Sequence, residues 1–346
     1  MRSAHLFTIF VAILCVACSS VKTGDSKKEP LLPYVEDNRV GFLDTQLNKK
    51  INPSFAYLPN RNWPYEFSEG LAAINFLGVV GFIDKDGDVV IEPKFDMAYN
   101  FSNGLALVRA KDKFGFIKKS GSYKIEPEFK GAGNFHNNLA PVKKEKNSLW
   151  GYINKKNEFI IVPRFLAAKD FSEGFALVQN TDHKEWGFIN TEGEVVIDYQ
   201  YPKAESFSEG LAAVQLEYKQ WGYIDTMGRV HIDSRFLEAG PFSEGKAAVA
   251  MPEDETNLDT KKYGYVNKRG RFIIEPKFDE AFPFSNGIAR VKIGNKYTYI
   301  NEQGKMISDP IYDMAWDFKG GLGLVKINNK FAYINKEGIF SLEPLS

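Results

Sequence analysis

Cysteine is nearly absent from the sequence. Its 346 residues include only two cysteines, Cys15 and Cys18, and both lie close to the N-terminus. The rest of the chain therefore has no disulfide and no thiol nucleophile, which excludes a disulfide-stapled scaffold and cysteine-based catalysis.

An excess of charge of either sign is also absent. The chain carries 44 basic and 44 acidic residues, and its formal net charge is +0 at pH 7. Arg2 is the only charged residue in residues 1–17, so removing them leaves 43 basic and 44 acidic residues. This balance gives no electrostatic basis for binding nucleic acid, and we expect no nucleic-acid partner.

Long apolar runs are missing except near the N-terminus. The run Leu6–Val16 is too short to span a membrane and suits the core of a signal peptide. It ends in Cys15-Val16-Ala17-Cys18, which resembles a bacterial lipoprotein signal. The resemblance implies that residues 1–17 are removed and that Cys18 carries the lipid. An ordinary signal peptide cut nearby is the alternative.

This N-terminal region sets the expected domains and location. Residues 18–33 comprise the lipidated cysteine and a polar tether that ends in proline, and residues 34–346 form the folded domain. We expect a protein of the cell envelope, anchored by lipid to a bacterial membrane, at the outer membrane or the cell surface.

What the sequence does contain is an internal repeat. The stretch Trp186-Gly187-Phe188-Ile189-Asn190, a turn with Gly193 and a second strand predict a hairpin that recurs nine times. The small residue of the hairpin falls at Gly41, Gly81, Gly115, Gly151, Gly187, Gly222, Gly264, Thr298 and Ala332. An FSEGLA-like phrase alternates with the hairpin, and its phenylalanines are Phe67, Phe101, Phe135, Phe171, Phe207, Phe242, Phe284 and Phe318.

Substitutions between the copies indicate what each position requires. Among the last eight copies the glycine of the hairpin turn is replaced once, by Asn157, and the glycine of the FSEG turn is replaced once, by Asn138, so both positions are predicted to have φ > 0. The first copy lacks the turn glycine. The small residue after the aromatic becomes Thr298 and Ala332, so that position needs a small side chain. We infer that a neighbouring repeat packs closely against it.

The repeat pattern also identifies a family. The stretches Trp150-Gly151-Tyr152-Ile153-Asn154 and Trp221-Gly222-Tyr223-Ile224-Asp225, with the FSEGLA phrase, resemble the WG-repeat family of bacterial proteins. The resemblance extends over residues 40 to 344. It implies a β-repeat module that is often exported and has no family-wide catalytic residues.

Each repeat of about 35 residues predicts a three-stranded antiparallel meander that cannot bury its aromatics alone. The expected fold is all-β, a tandem array of about eight to nine such meanders in a β-propeller-like ring. An open β-solenoid or superhelix is the alternative. Nine hairpins but eight third strands are evident, so the first hairpin is expected to be an extra half-unit that latches a ring or caps an open array.

Residues in the patterns that mark catalytic or metal sites are scarce. The histidines His5, His136, His183 and His231 lack metal-ligand spacing, and no nucleophile elbow or phosphate-binding glycine loop is present. Asp84–Asp88 does not reproduce the liganding positions of an EF-hand and predicts a turn. Repeated glutamates follow the repeat, whereas catalytic carboxylates should break it; they are Glu69, Glu173, Glu209 and Glu244. We therefore expect no enzyme activity and no cofactor or metal.

The candidate binding residues lie where the repeat varies. Only the loop between the third strand and the next hairpin changes length, in the segments 144–148, 180–185, 217–220 and 252–262, so these loops predict a binding edge. The candidate residues in the loops are His183, Glu253, Asp254, Glu255 and Asp259. Trp63 and Trp316 do not occupy the repeat position before the glycine and are candidates for a glycan or protein contact, with core packing as the alternative.

Three functions remain open at this point. The first is a non-enzymatic envelope lipoprotein that binds or scaffolds protein partners. The second is a cell-wall or glycan-binding module, for which exposed aromatics on one face would be the sign. The third and least favoured is an enzyme in a propeller channel.

Overall fold

The computed structural model describes residues 29–58, 63–254 and 257–342. The expected signal peptide and Cys18 lie outside these residues, as does most of the expected tether. In the described ranges the chain is all-β without helices, and nine small antiparallel sheets form a nine-bladed β-propeller. We number the blades 1 to 9 in chain order.

The strands of the first five blades have these bounds: blade 1, β1 (Leu32–Glu36), β2 (Arg39–Leu43), β3 (Lys49–Ala56); blade 2, β4 (Phe67–Ser68), β5 (Leu71–Phe76), β6 (Val79–Ile83), β7 (Val89–Phe95); blade 3, β8 (Met97–Ala98), β9 (Ala106–Ala110), β10 (Lys113–Ile117), β11 (Tyr123–Phe129); blade 4, β12 (Gly131–Ala132), β13 (Ala140–Lys143), β14 (Trp150–Ile153), β15 (Phe159–Phe165); blade 5, β16 (Ala167–Ser172), β17 (Phe175–Gln179), β18 (Trp186–Ile189), β19 (Val195–Tyr201).

The strands of the last four blades are: blade 6, β20 (Leu211–Glu217), β21 (Gln220–Asp225), β22 (Val230–Phe236); blade 7, β23 (Glu238–Ser243), β24 (Lys246–Asp254), β25 (Asn257–Asn267), β26 (Phe272–Phe278); blade 8, β27 (Glu280–Ser285), β28 (Ile288–Ile293), β29 (Lys296–Asn301); blade 9, β30 (Met314–Ala315), β31 (Gly323–Ile327), β32 (Lys330–Ile334), β33 (Phe340–Leu342).

The position of a strand within its blade explains its composition. In blade 5 the sheet order is β16-β17-β18-β19, and the two central strands are buried at most of their positions. Strands covered on both faces are continuously apolar. The last strand, β19, alternates between buried and exposed residues, as an edge strand with one covered face does.

The two ends of each sheet form two faces of the ring. The FSEG turns and the hairpin turns join strands at the same end of each antiparallel sheet, and we call this side the turn face. The variable loops join the two central strands at the opposite end, and we call this side the loop face. The FSEG turns of neighbouring blades hydrogen bond to each other, as the Ser172 hydroxyl does to the Phe207 carbonyl at 2.8 Å, so these turns lie side by side around the ring.

The contact between blades is an aromatic pair that repeats around the ring. The phenylalanine of each FSEG phrase packs against the aromatic residue of the preceding hairpin, edge-on in every pair except Phe207 with Phe188, which is tilted. Phe101 lies 5.2 Å from Phe82, and Phe171 lies 5.0 Å from Tyr152, between ring centroids. Such pairs contribute about 0.5–1.5 kcal/mol beyond the area that they bury.

Nine apolar cores separate the nine blades, which is the number that a closed ring requires. An open stack of nine sheets would have eight. The ninth core lies between blade 9 and blade 1, and it joins Leu32 and Tyr34 to Phe331 and Tyr333. The Tyr333 hydroxyl donates a hydrogen bond of 2.7 Å to the Pro33 carbonyl across this seam. The ring arrangement is confirmed.

The expectation of an extra N-terminal half-unit is wrong. Strand β1 pairs with β2 in the same way as β5 pairs with β6 in blade 2. Blade 1 therefore has two central strands of its own. Glu29-Pro30-Leu31 occupies the place of Glu69-Gly70-Leu71, ten residues before the small glycine in each case. Leu32 and Pro33 lie inside β1, so the blade begins before the expected domain boundary at residue 34.

The predicted three-stranded meander gains a fourth strand in six of the nine sheets. The additional strand is the segment that leads into the FSEG turn, such as β16 in blade 5. Blade 6 has isolated bridges there, and blade 8 has them in place of its last strand. Blade 1 has no such first strand within the described residues.

The conformations predicted for the repeat glycines are confirmed, but one reason given for them is wrong. Both turn positions have φ > 0, including Asn138 at 63° and Asn157 at 67°. The glycine after the aromatic does not, and a Cβ on Gly187 would lie 2.8 Å from the Ile197 carbonyl oxygen. That oxygen belongs to the last strand of the same blade, not to a neighbouring repeat. In blade 8 this strand is missing and Thr298 fits there, donating to the Ser308 carbonyl.

Replacing Tyr333 with Phe should lower the free energy of unfolding by about 1–3 kcal/mol, because the buried Pro33 carbonyl loses its hydrogen-bond donor. Tyr218→Phe is the matched control, since Tyr218 is 86% exposed and its change should stay within about 0.5 kcal/mol. Urea unfolding of the chain without residues 1–17 measures both. Equal stability of Tyr333→Phe and the parent would contradict the role given to the seam.

Candidate functional site

One hairpin stands out from the loop face. Strands β24 and β25 keep one register from Lys246 paired with Asn267 to Pro252 paired with Lys261, and after a register shift Asp254 pairs with Asn257. The two central strands of the other blades are four to seven residues long, whereas β24 has nine and β25 has eleven. Blade 7 therefore extends beyond its neighbours, and we call its outer part, residues 252–262, the blade 7 hairpin.

The base of this hairpin is anchored on both sides. Lys261 Nζ and the Tyr263 hydroxyl both bond to the carboxylate of Glu238 in the first strand of blade 7. Lys262 Nζ lies 2.7 Å from Asp279 Oδ1, and the other oxygen of Asp279 accepts the Gly294 N–H of blade 8 at 2.6 Å. The hairpin is thus held in a fixed direction and does not hang as a loose insertion.

The charge states of the anchoring groups follow from these bonds. Burial alone would raise the pKa of Glu238, but the bonds from Lys261 and Tyr263 hold the pKa below its usual value. The Lys262 hydrogen bond and the Gly294 N–H lower the pKa of Asp279. Because both pKa values are lowered, the anchoring stabilises the hairpin above the usual carboxyl range and is lost as the pH falls through the lowered values.

The structure brings together some of the predicted loop residues. Glu253, Asp254 and Asp259 lie on the blade 7 hairpin and are exposed. Glu255 lies outside the described residues. His183 is exposed in the loop of blade 5, so it shares the loop face but not the hairpin. The predicted binding edge is therefore one projecting hairpin on a face of shorter loops.

Trp63 and Trp316, which do not occupy the repeat position before the glycine, both lie at the seam. Trp63 and Trp316 are both half-buried and both pack against Phe331, with ring centroids at 5.3 and 6.0 Å. Tyr57 adds a second edge-on contact to Trp63 at 5.1 Å. These residues extend the ninth core, so both have a packing role, which was the alternative considered for them.

A cavity of about 410 Å³ opens beside this aromatic cluster. Its walls come from blades 8, 9, 1 and 2, including Trp316, Leu322, Leu324, Pro33 and Pro64. At one end it reaches Asn286 and Lys319 in the turns of blades 8 and 9. We call it the seam cavity. It lies at the seam between blade 9 and blade 1.

A contact between His136 and Asp170 was missed by sequence reasoning. In six FSEG-type turns the serine hydroxyl donates to the carbonyl of the next blade's phenylalanine, at 2.7 to 3.0 Å; these serines are Ser68, Ser102, Ser172, Ser208, Ser243 and Ser285. In blade 4 the serine is replaced by His136, whose Nε2 lies 3.8 Å from Asp170 Oδ2 in blade 5. Burial raises the pKa of Asp170 despite the opposing effect of His136. In the sequence, this contact is indicated by the replacement of the turn serine with histidine at position 136.

Neither a metal centre nor a spanning helix is found in the described ranges. No group of three or more His, Cys, Asp or Glu residues is placed to hold a metal ion there. No helix in the same residues is long and apolar enough to cross a membrane.

The sequence matches the family of WG-containing repeats in seven tandem copies. The matched residues are 81–114, 114–147, 150–182, 186–219, 221–251, 263–297 and 297–331. No curated protein matches the chain.

Several solved structures resemble the fold. A crystal structure of a eukaryotic initiation factor superposes with a TM-score of 0.65 and 11% identity, covering 91% of this chain and 95% of that chain. BamB from Moraxella catarrhalis gives a TM-score of 0.42 and 12% identity, with coverages of 80% and 89%. Kluyveromyces lactis Hsv2 gives 0.42 and 11%, with coverages of 68% and 92%. At such identity the likeness to the initiation factor concerns the fold alone.

Replacing Asp279 with Asn should loosen the hairpin base, because Lys262 loses its ion pair. The pair is partly exposed, so amide exchange at Lys261 and Lys262 should rise only about two- to fivefold. Asp225→Asn is the control, since it removes the partner of Arg229 in blade 6. Unchanged exchange at the hairpin base would show that Asp279 does not anchor it.

Proposed function

Since this chain belongs to the family of WG-containing repeats, we propose that it is an exported, membrane-anchored lipoprotein that acts as a non-enzymatic binding or scaffold module for protein partners. The blade 7 hairpin is its main contact element. The partner presents basic groups to the acidic residues of that hairpin.

The observation that carries this proposal is the anchoring of the hairpin. A tolerated insertion needs no fixed direction, whereas a binding element gains affinity when it is ordered before its partner arrives. Lys261 and Lys262 fix the base of the hairpin through Glu238 and Asp279. Beyond this base, Glu253, Asp254 and Asp259 give the exposed end an acidic character.

The cell-wall or glycan-binding alternative has less support. It requires aromatic side chains that present a face to a sugar ring. Trp63 and Trp316 instead contact Phe331 at the seam and are half-buried. An enzyme in the channel is the least favoured reading, and no group of three or more His, Cys, Asp or Glu residues in the described ranges is placed to hold a metal ion for it.

The lipid anchor is tested by exchanging the two cysteines separately. Cys18→Ser should abolish incorporation of labelled fatty acid and release the protein from the membrane fraction. Cys15→Ser should leave both unchanged, because the cysteine after Ala17 is the proposed acceptor. Labelling that persists in Cys18→Ser and is lost in Cys15→Ser would contradict this assignment.

Partner binding is tested with a shortened hairpin. Pro252 pairs with Lys261, so replacing residues 253–260 by Asn-Gly should close a two-residue turn and keep the anchors. Immobilised parent chain should retain a protein from envelope extract of the source cell, and the shortened variant should retain less than one tenth as much. As a control, replacing residues 180–185 of blade 5 by a loop of equal length should leave retention unchanged.

Two outcomes would contradict the proposal. Equal retention by the shortened variant would remove the hairpin from the interface. Retention of purified cell-wall polymer with no retained protein would favour the glycan-binding alternative.

A further inference from the structure

In several FSEG turns, two backbone N–H groups bind the carboxylate of a glutamate from the preceding blade. The carboxylate of Glu173 accepts the N–H groups of Glu209 and Gly210 in the next blade, at 2.7 and 2.9 Å. Glu244 accepts those of Asn286 and Gly287 at the same distances. Consecutive residues with φ > 0 turn their two N–H groups toward one point, which makes a concave anion site. We call such a pair of N–H groups a clamp.

Blade 9 has the same clamp but no internal carboxylate to fill it. Gly320 and Gly321 have φ of 58° and 81°, close to the values at Asn286 and Gly287. The residue that should supply the carboxylate from blade 8 is Asn286 itself, which has no negative charge. Its Nδ2 donates instead to Ser285 Oγ at 3.3 Å and the Phe318 carbonyl at 3.4 Å. Within the described ranges, neither Gly320 N–H nor Gly321 N–H has an acceptor.

The seam cavity lies next to this clamp. Asn286, Phe318 and Lys319 line it, and Lys319 directly precedes the clamp in the chain. Its apolar lining includes Leu322, which directly follows the clamp, and Leu324. A ligand in the cavity can therefore put an anionic group on the clamp and an apolar group against blade 9.

The charged groups around the cavity permit an anion. Glu66 and Asp317 also line it, but each carboxylate faces a cation. Lys319 Nζ lies 3.3 Å from Glu66 Oε2, and Arg290 lies 3.7 Å from Asp317 Oδ1. The carboxylates are thus offset by equal positive charge, and the clamp adds two N–H donors.

We propose that the seam cavity binds the C-terminal end of a peptide, with the terminal carboxylate on the Gly320–Gly321 clamp and the last side chain, an apolar one, against Leu322 and Leu324. Capture of a terminal carboxylate by consecutive backbone N–H groups is a known mode of peptide recognition. The end of a peptide can enter a cavity of about 410 Å³ between blades with chain leading from one side only. A peptide bound through an internal glutamate would need room for chain on both sides of that residue. This site rests on the proposed function, because it supplies a second contact to a protein partner.

The repeat itself provides the test. Asn286→Glu restores the carboxylate found at Glu173 and Glu244 and should fill the clamp from within. Asn137→Glu is the matched control, since it should fill the clamp of blade 5, at Glu173 and Gly174, away from the seam. The probe is a fluorescent pentapeptide that ends in Leu, prepared with a free C-terminus and as its amide, and binding is followed by fluorescence anisotropy.

The free-acid peptide should bind the parent and Asn137→Glu with affinities within twofold of each other. Asn286→Glu and amidation of the peptide should each weaken binding at least tenfold. Urea unfolding shows whether Asn286→Glu is folded, and a stability at or above that of the parent is expected.

Equal binding of the amide and the acid would overturn the proposal, as would unchanged binding by Asn286→Glu or no binding by the parent. An amidated peptide with an internal glutamate that binds as tightly as the free acid would overturn the assignment to a chain terminus. The assay uses purified chain and defined peptides, so its failure is distinguishable from failure of the hairpin pull-down, which depends on residues 253–260.

Discussion

The structure depends on one constraint, which is that no blade can cover its own aromatic residues. Each hairpin presents an aromatic ring on one side, and the phenylalanine of the next FSEG phrase packs against it, as Phe171 does against Tyr152. An end blade in an open array would leave such a ring in water. Closure solves this for the last blade, because Tyr333 and Phe331 pack against Leu32 and Tyr34. The ring is therefore a consequence of the repeat chemistry and not an addition to it.

Much of this architecture could be predicted from residues alone. Asparagine at two glycine positions predicted the left-handed turns, and the exchange of the small glycine for Thr298 and Ala332 predicted a steric requirement. The source of the steric contact could not be predicted, because it comes from a bulge in the last strand of the same blade. Such a bulge leaves no separate mark in the sequence.

The ninth third strand was missed for a physical reason. No FSEG phrase precedes β1, and the polar stretch before it is typical of a tether. In the folded ring the Pro33 carbonyl accepts the Tyr333 hydroxyl, a contact between residues 300 positions apart. The same limit applies to His136 and Asp170, and to the empty clamp at Gly320 and Gly321. These sites arise between neighbouring blades, so they require the ring before they can be recognised.

The central claim, that β1 closes the ring, is tested most directly by amide hydrogen exchange on two N-terminal deletions. One begins at Glu29 and keeps β1, and the other begins at Asp37 and removes it. The account predicts that the first protects the amides of β31 and β32 as the longer chain does, and that the second loses this protection while blades 4 to 6 keep theirs. Equal protection of β31 and β32 in both deletions would contradict closure through β1.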